Sequence, residues 1–204
     1  MDFDGFYSPE NWIGGFYELS IEYHPFGDNK RVNEALTALS KSNFFSEIWE
    51  DKKEYQKNSV SLPFNIEENS VNQFYGILYL PNSNELPCVI TVTRVNGESD
   101  CLEIAIPQAA LELKYKYKYP LIIELNPWLK KIDELYTKLA ETIYCHAPFD
   151  LAMLGEEISG YTNQEDITYE VMQNMTFILP SRLQERLGLQ GHGKKLSNQL
   201  RKFD

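Results

Sequence analysis

The sequence of 204 residues contains only three cysteines, Cys88, Cys101 and Cys145, and no CxxC pair. An odd cysteine count without metal-ligand spacing argues against both a zinc site and a disulfide framework, so we expect a reducing compartment. No stretch of the sequence approaches the run of about 18 apolar residues that a membrane helix requires. The chain also begins with acidic residues, whereas a secretory signal begins with a basic segment followed by an apolar one. These absences predict a cytoplasmic protein that does not contact a membrane.

Short catalytic and ligand-binding motifs are absent as well. The sequence has no GxxxxGK[ST], GxGxxG, HExxH or GxSxG motif and no EF-hand loop. Their absence removes the best-attested nucleotide-binding, zinc-protease and hydrolase interpretations. We therefore predict no cofactor and no metal, and the motifs name no catalytic residue.

Basic residues are scarce relative to acidic ones. Lys and Arg total 19 and Asp and Glu total 30, which gives a formal net charge of −11. A negative surface repels nucleic-acid phosphates and anionic headgroups but attracts basic proteins. The segment 181–204 is the exception, because its six Lys and Arg residues face only two acidic ones. We expect this basic tail to fold back onto the acidic body.

The first half of the chain predicts a β-α-β unit followed by a meander. Alternating apolar residues from Tyr17 to Tyr23 indicate a strand, and Asp28 is a candidate N-cap for a helix behind it. Residues 44–49 are the expected second strand. Residues 74–106 are rich in β-branched residues and contain Asn96-Gly97, which favours a tight hairpin. These features predict an antiparallel three-strand meander over 74–106.

The second half adds helices and a central strand. Asn126 and Pro127 predict the start of a helix that runs to residue 144, and residues 149–154 indicate a strand buried on both faces. Leu196, Leu200 and Phe203 lie on one face of a predicted helix in the tail. Together the pattern predicts an α+β fold: a single domain over 1–180 with a mostly antiparallel sheet and helices on one face, and a basic helical tail over 181–204 docked on it.

No cluster of reactive residues predicts a catalytic site. Side chains of adjacent residues such as Cys145 and His146 point to opposite faces of an extended backbone, so they would not form a thiolate–imidazole pair. A pair between Cys145 and His24 across the fold is an alternative that the sequence leaves open. The adjacent acids Glu156 and Glu157 are typical of a solvated turn. We assign none of these residues a catalytic role.

The stripe from Lys114 to Tyr119 interleaves lysines with tyrosines. Cations and aromatic rings in alternation bind single-stranded nucleic acid in some proteins. An edge strand with tyrosines inward and lysines outward explains the same pattern, and the negative net charge opposes polyanion binding. We favour the edge strand.

The N-terminal segment gives the most useful functional indication. It is rich in aromatic residues with acidic neighbours, and aromatic residues are enriched at interface centres. The candidate partner-binding residues are Phe3, Phe6, Tyr7, Trp12 and Glu18. The sequence thus predicts an acidic macromolecule-binding protein, of the inhibitor or immunity type, that masks a basic partner protein by electrostatic steering. The alternative is a small enzyme without a recognisable motif, with its pocket between the sheet and the helix over 126–144.

Overall fold

The computed structural model describes residues 1–81 and 84–204, and confirms a single α+β fold. Its helices and strands, in chain order, are α1 (Phe3–Tyr7), β1 (Phe16–Tyr23), α2 (Asn29–Ser40), β2 (Ser70–Leu80), β3 (Asn84–Arg94), β4 (Asp100–Pro107), α3 (Gln108–Lys114), α4 (Leu129–His146), β5 (Leu151–Glu156), β6 (Thr176–Leu179), α5 (Ser181–Arg186), β7 (Lys194–Lys195) and β8 (Arg201–Phe203). The eight strands form one sheet in the order β2-β3-β4-β1-β5-β6-β8-β7. All of its pairings are antiparallel.

β1 lies at the centre of the sheet between β4 and β5. Successive residues of a strand point to opposite faces, so the four alternating apolar residues from Tyr17 to Tyr23 share one face with the two long helices, α2 and α4. The Tyr136 hydroxyl of α4 donates to the Tyr17 carbonyl oxygen at 2.9 Å and ties this helix to β1. We call this side of the sheet the helix-bearing face.

The other side, the opposite face, receives Glu18, Ser20 and Glu22 from β1. An aromatic cluster that includes Phe6 covers it at the β2 end. A second apolar cluster, which includes Met153 of β5, covers it at the β6 end. A depression remains between the two clusters, over β1 and β4.

Several elements agree with the sequence predictions. The Asp28 carboxylate caps α2 by accepting from the Arg31 backbone N–H at 3.0 Å. The meander is formed by β2, β3 and β4, and the buried run over 149–154 becomes β5. The prediction of a regular strand over 44–49 is wrong. That segment makes isolated bridges to the edge of β2, between Phe45 and Leu78 and between Trp49 and Tyr75.

The helix predicted through Leu196 and Phe203 is also wrong. The only α-helix in the tail is α5. Phe203 belongs to β8, which pairs with β6 and places Phe203 opposite Phe177. This pairing satisfies backbone groups of β6 that an isolated helix would leave at an open sheet edge. Gly193, directly before β7, permits a close approach to β8, because a Cβ there would lie 2.6 Å from the Lys202 carbonyl oxygen.

The segment between α3 and α4 departs from the prediction as well. Residues 115–119 form no strand, so the edge-strand interpretation is wrong. Tyr115 and Tyr117 are nevertheless half-buried, and the lysines between and beside them are exposed. Asn126 does not cap a helix. Its side chain accepts from the Lys118 N–H and donates to the Lys118 carbonyl oxygen, and so replaces the missing neighbouring strand. None of the described helices is long and apolar enough to cross a membrane.

Candidate functional site

The depression on the opposite face contains a pocket of about 430 Å³. Its floor is formed by Ser20 and Glu22 of β1, Cys101 of β4 and Met153 of β5. Its walls are the β3–β4 hairpin and the loop that follows β5. We call it the acidic pocket; its lining residues are Ser20, Glu22, His24, Gly97, Glu98, Ser99, Cys101, Met153, Gly160, Tyr161, Thr162, Asn163, Glu165 and Asp166.

Two buried carboxylates of β1 hold the loop wall in place. Glu18 Oε2 accepts from the backbone N–H groups of Ile158 at 3.0 Å and Ser159 at 3.1 Å. Glu22 Oε2 accepts from the backbone N–H of Gln164 at 2.7 Å. Because Glu18 and Glu22 project from the same face of one strand, they fasten the loop at two points along its length. The pocket wall is therefore positioned by the rigid centre of the sheet.

A hydrogen-bonded chain links the floor of the acidic pocket to its rim. The Ser99 hydroxyl donates to Glu22 Oε1 at 2.6 Å, and Ser99 Oγ lies 3.2 Å from His24 Nδ1. In a nucleophilic triad the histidine accepts the serine proton. Here the Ser99 hydroxyl donates its proton to the Glu22 carboxylate and not to His24 Nδ1. This order of groups orients the imidazole and does not activate the hydroxyl.

The electrostatic character of the acidic pocket is negative. Four carboxylates lie in its lining, from Glu22, Glu98, Glu165 and Asp166, and no Lys or Arg is among the described lining residues. Burial raises the pKa of Glu22 above its usual value. Cys101 is half-buried, and this partial burial, followed by the nearby Glu103 carboxylate, raises the pKa of its thiol to about 12. Cys101 is therefore a protonated thiol at neutral pH and not a nucleophile.

His24 stands at one end of the acidic pocket next to the loop wall. Its Nε2 lies 3.9 Å from Glu165 Oε1, which forms an ion pair when the imidazole is protonated. Asn163 fixes the two acids that follow it. Its Oδ1 accepts from the backbone N–H groups of Glu165 at 2.8 Å and Asp166 at 2.9 Å. Both acidic side chains are exposed to solvent.

The structure does not bring the predicted partner-binding residues into one surface. Phe6 is fully buried and stacks on Tyr55 with ring centroids 4.4 Å apart. Trp12 donates its indole N–H to the Phe6 carbonyl oxygen at 2.9 Å. Phe3 and Tyr7 stack on each other at 5.5 Å, and more than a third of each is exposed. Glu18 is buried beneath the loop. A role for these residues in partner binding stays a prediction.

The remaining candidate residues lie apart. Cys145 and His146 are exposed at the end of α4, whereas His24 lines the acidic pocket on the opposite face. Glu157 Oε1 accepts from the Phe16 backbone N–H at 2.6 Å and fixes the start of β1. Among the described residues, no group of three or more His, Cys, Asp or Glu side chains is arranged to hold a metal ion.

The layer between α4 and the sheet is filled with apolar side chains. Ile132, Leu139 and Ile143 are fully buried there. The acidic pocket lies on the other side of the sheet from this layer. An enzymatic function stays a prediction that the geometry neither tests nor locates.

Sequence reasoning missed Ser99, Glu165 and Asp166 as members of one site. The available signals were the Asn96-Gly97 turn, which places Ser99 beside the end of β1, and the polar alternation of Glu18, Ser20 and Glu22. That alternation predicts a solvent-facing side of β1, whereas a loop from far along the chain covers it. Comparisons of this chain with models of protein families, with curated proteins and with solved structures found no match.

Proposed function

We propose that this protein binds and masks a basic partner protein, in the manner of an inhibitor or immunity protein, and that the acidic pocket receives a positively charged side chain of that partner. The observation that supports this proposal is the lining itself, in which four carboxylates surround a pocket without a Lys or Arg among its described residues. A cationic side chain is the complement of such a lining.

The net charge supports the proposal at longer range. A protein with a formal net charge of −11 attracts a basic partner before contact and increases the association rate. Within the contact, buried groups contribute more than exposed ones because water screens them less. The floor carboxylate of Glu22 is held by two hydrogen bonds, so it needs no rearrangement when a cation enters.

The chemistry of the lining favours binding over catalysis. The Ser99 hydroxyl donates to a carboxylate, and the Cys101 thiol is protonated, so neither group is an activated nucleophile. This leaves the four carboxylates of the lining, and the property that they share is negative charge.

Affinity capture with charge-reversed variants tests the proposal. Immobilised wild-type protein is expected to retain a basic protein from a lysate of the source organism at low salt and to release it as the salt concentration rises. The Glu165→Lys/Asp166→Lys variant is expected to retain at least about tenfold less, because an unpaired interfacial charge costs several kcal/mol.

The matched control is Glu47→Lys/Glu124→Lys. Both residues are exposed, neither lines the acidic pocket, and the change in net charge is the same. It should retain the partner. Equal losses from both variants would show that net charge alone drives capture, and an empty wild-type column at low salt would contradict the proposal outright.

A further inference from the structure

We propose that the cation received by the acidic pocket is the guanidinium group of an arginine, and not the ammonium group of a lysine. This inference rests on the proposed function and adds the identity of the side chain. It depends on three groups with different chemistry: an unpartnered hydroxyl on the floor, an aromatic ring in the wall, and carboxylates at separate positions around the lining.

Ser20 supplies the unpartnered hydroxyl. Only 4% of this residue is exposed, yet it lines the acidic pocket between the two buried acids of β1. Within the part of the chain that the structure describes, its hydroxyl forms no hydrogen bond with another residue. The hydroxyl is not among the fully enclosed unpaired polar atoms of the described residues, so it is accessible from the pocket and available to a group that enters.

Tyr161 supplies the aromatic ring. It belongs to the lining, and 48% of it is exposed, so a face or edge of its ring is accessible from the pocket side. Planar guanidinium groups stack on aromatic rings and are more weakly hydrated than ammonium groups. A tyrosine in an acidic wall therefore favours arginine.

The number of acceptors points the same way. Arginine offers five N–H donors in a fixed planar fork, whereas a lysine ammonium offers three donors at one point. The lining presents carboxylates from β1, from the β3–β4 hairpin and from the loop, in addition to the Ser20 hydroxyl. Acceptors at several positions around a pocket can each pair with a different N–H group of a guanidinium, whereas an ammonium group directs its three donors from a single atom.

Calorimetric titration with three capped peptides tests the inference. The probes are Gly-Gly-Arg-Gly-Gly, its lysine counterpart and its citrulline counterpart, which keeps the shape of arginine without the charge. We expect the arginine peptide to bind about tenfold more tightly than the lysine peptide, which corresponds to about 1.4 kcal/mol. The citrulline peptide is expected not to bind. Equal or tighter binding of the lysine peptide would overturn the inference.

Two variants connect the preference to the pocket. Tyr161→Leu and Ser20→Ala should each reduce the arginine-to-lysine ratio toward one. Tyr169→Leu is the control for the first, because Tyr169 is similarly exposed, at 58%, but lies outside the lining. A ratio that Tyr161→Leu and Tyr169→Leu lower equally would contradict the assignment to the pocket.

The same titrations separate this inference from the proposed function. Suppose that wild-type protein binds the arginine and lysine peptides equally and that Glu165→Gln/Asp166→Asn weakens the binding of both. Only the preference for arginine then fails. If that variant leaves both affinities unchanged, the acidic pocket is not the binding site and the proposed function fails with it.

Discussion

At the scale of single residues, the two buried acids of β1 are the most informative side chains. Glu18 and Glu22 are each 6% exposed, and a buried carboxylate is costly unless hydrogen bonds satisfy it. Glu18 accepts from two backbone N–H groups and from the Ser159 hydroxyl. Glu18, the acid predicted to contact a partner, thus has a structural contact within the chain. Glu22, four positions on, contributes to the pocket floor.

Substitution of Glu18 separates its role as an acceptor from its charge. Glu18→Ala leaves two backbone donors unpaired and should lower the free energy of unfolding by roughly 2–4 kcal/mol, since each buried unpaired donor costs about 1–3 kcal/mol. Glu18→Gln keeps an acceptor oxygen and should differ from wild type by less than about 1 kcal/mol. Urea denaturation measures both values. Equal losses in the two variants would contradict the hydrogen-bonding role.

The pH dependence of the Gln variant provides a second readout. Burial raises the pKa of Glu18 above the value of 4.5 expected for the unfolded chain. The folded state therefore keeps its proton to higher pH, so this stabilising contribution is complete below pH 4.5 and is lost as the pH rises through the folded-state pKa. A glutamine does not titrate, so Glu18→Gln does not lose this stability as the pH rises. Its stability relative to wild type should therefore increase between about pH 4 and pH 7.

At the scale of elements, the carboxylates of β1 hold the loop after β5 at two separate points, and Arg182 of α5 also donates to the Gln164 side chain at 2.8 Å. Glu18 fixes residues 158–159 and Glu22 fixes residue 164. Local opening of such a segment depends on its own few contacts and not on global stability. The two fastenings should therefore act independently.

Hydrogen exchange tests that independence. In Glu22→Ala the Gln164 amide should exchange at least about tenfold faster than in wild type, whereas the Ile158 and Ser159 amides should keep their protection. Glu18→Ala should give the converse pattern. Each variant is the control for the other, and release of the whole loop by either one would contradict two separate fastenings.

The elements also show how far the sequence could be interpreted. Periodicity and a cap predicted β1, α2 and the meander because those signals are local, as the Asp28 cap at 3.0 Å illustrates. The tail was not predictable, because the pairing of β8 with β6 overrides a helical spacing. The acidic pocket was predictable only in part. Alternation places Ser20 and Glu22 on one face, but contacts with residues about 140 positions away decide what covers them.

At the scale of the whole molecule, the basic tail contacts two different places. Arg186 donates to the Glu165 carbonyl oxygen in the loop wall of the acidic pocket at 3.3 Å, whereas the lysines of the tail lie away from that pocket. Lys194, Lys195 and Lys202 surround a separate pocket beside α4, together with Glu134 and Glu141. The Ser197 backbone N–H donates to Glu141 Oε1 at 2.6 Å and fixes the tail there. These lysines lie near acids of α4, and the described lining of the acidic pocket contains no Lys or Arg.

Mapping where a cation binds shows whether the acidic pocket is the binding site. The ¹⁵N-labelled protein is titrated with the capped peptide Gly-Gly-Arg-Gly-Gly, and backbone chemical shifts are followed by NMR. Perturbations are expected to concentrate in residues 20–24, 97–101 and 160–166, to saturate together and to diminish at high salt. Perturbations centred on the N-terminal aromatic residues or on α4, or dispersed over the surface without saturation, would contradict it.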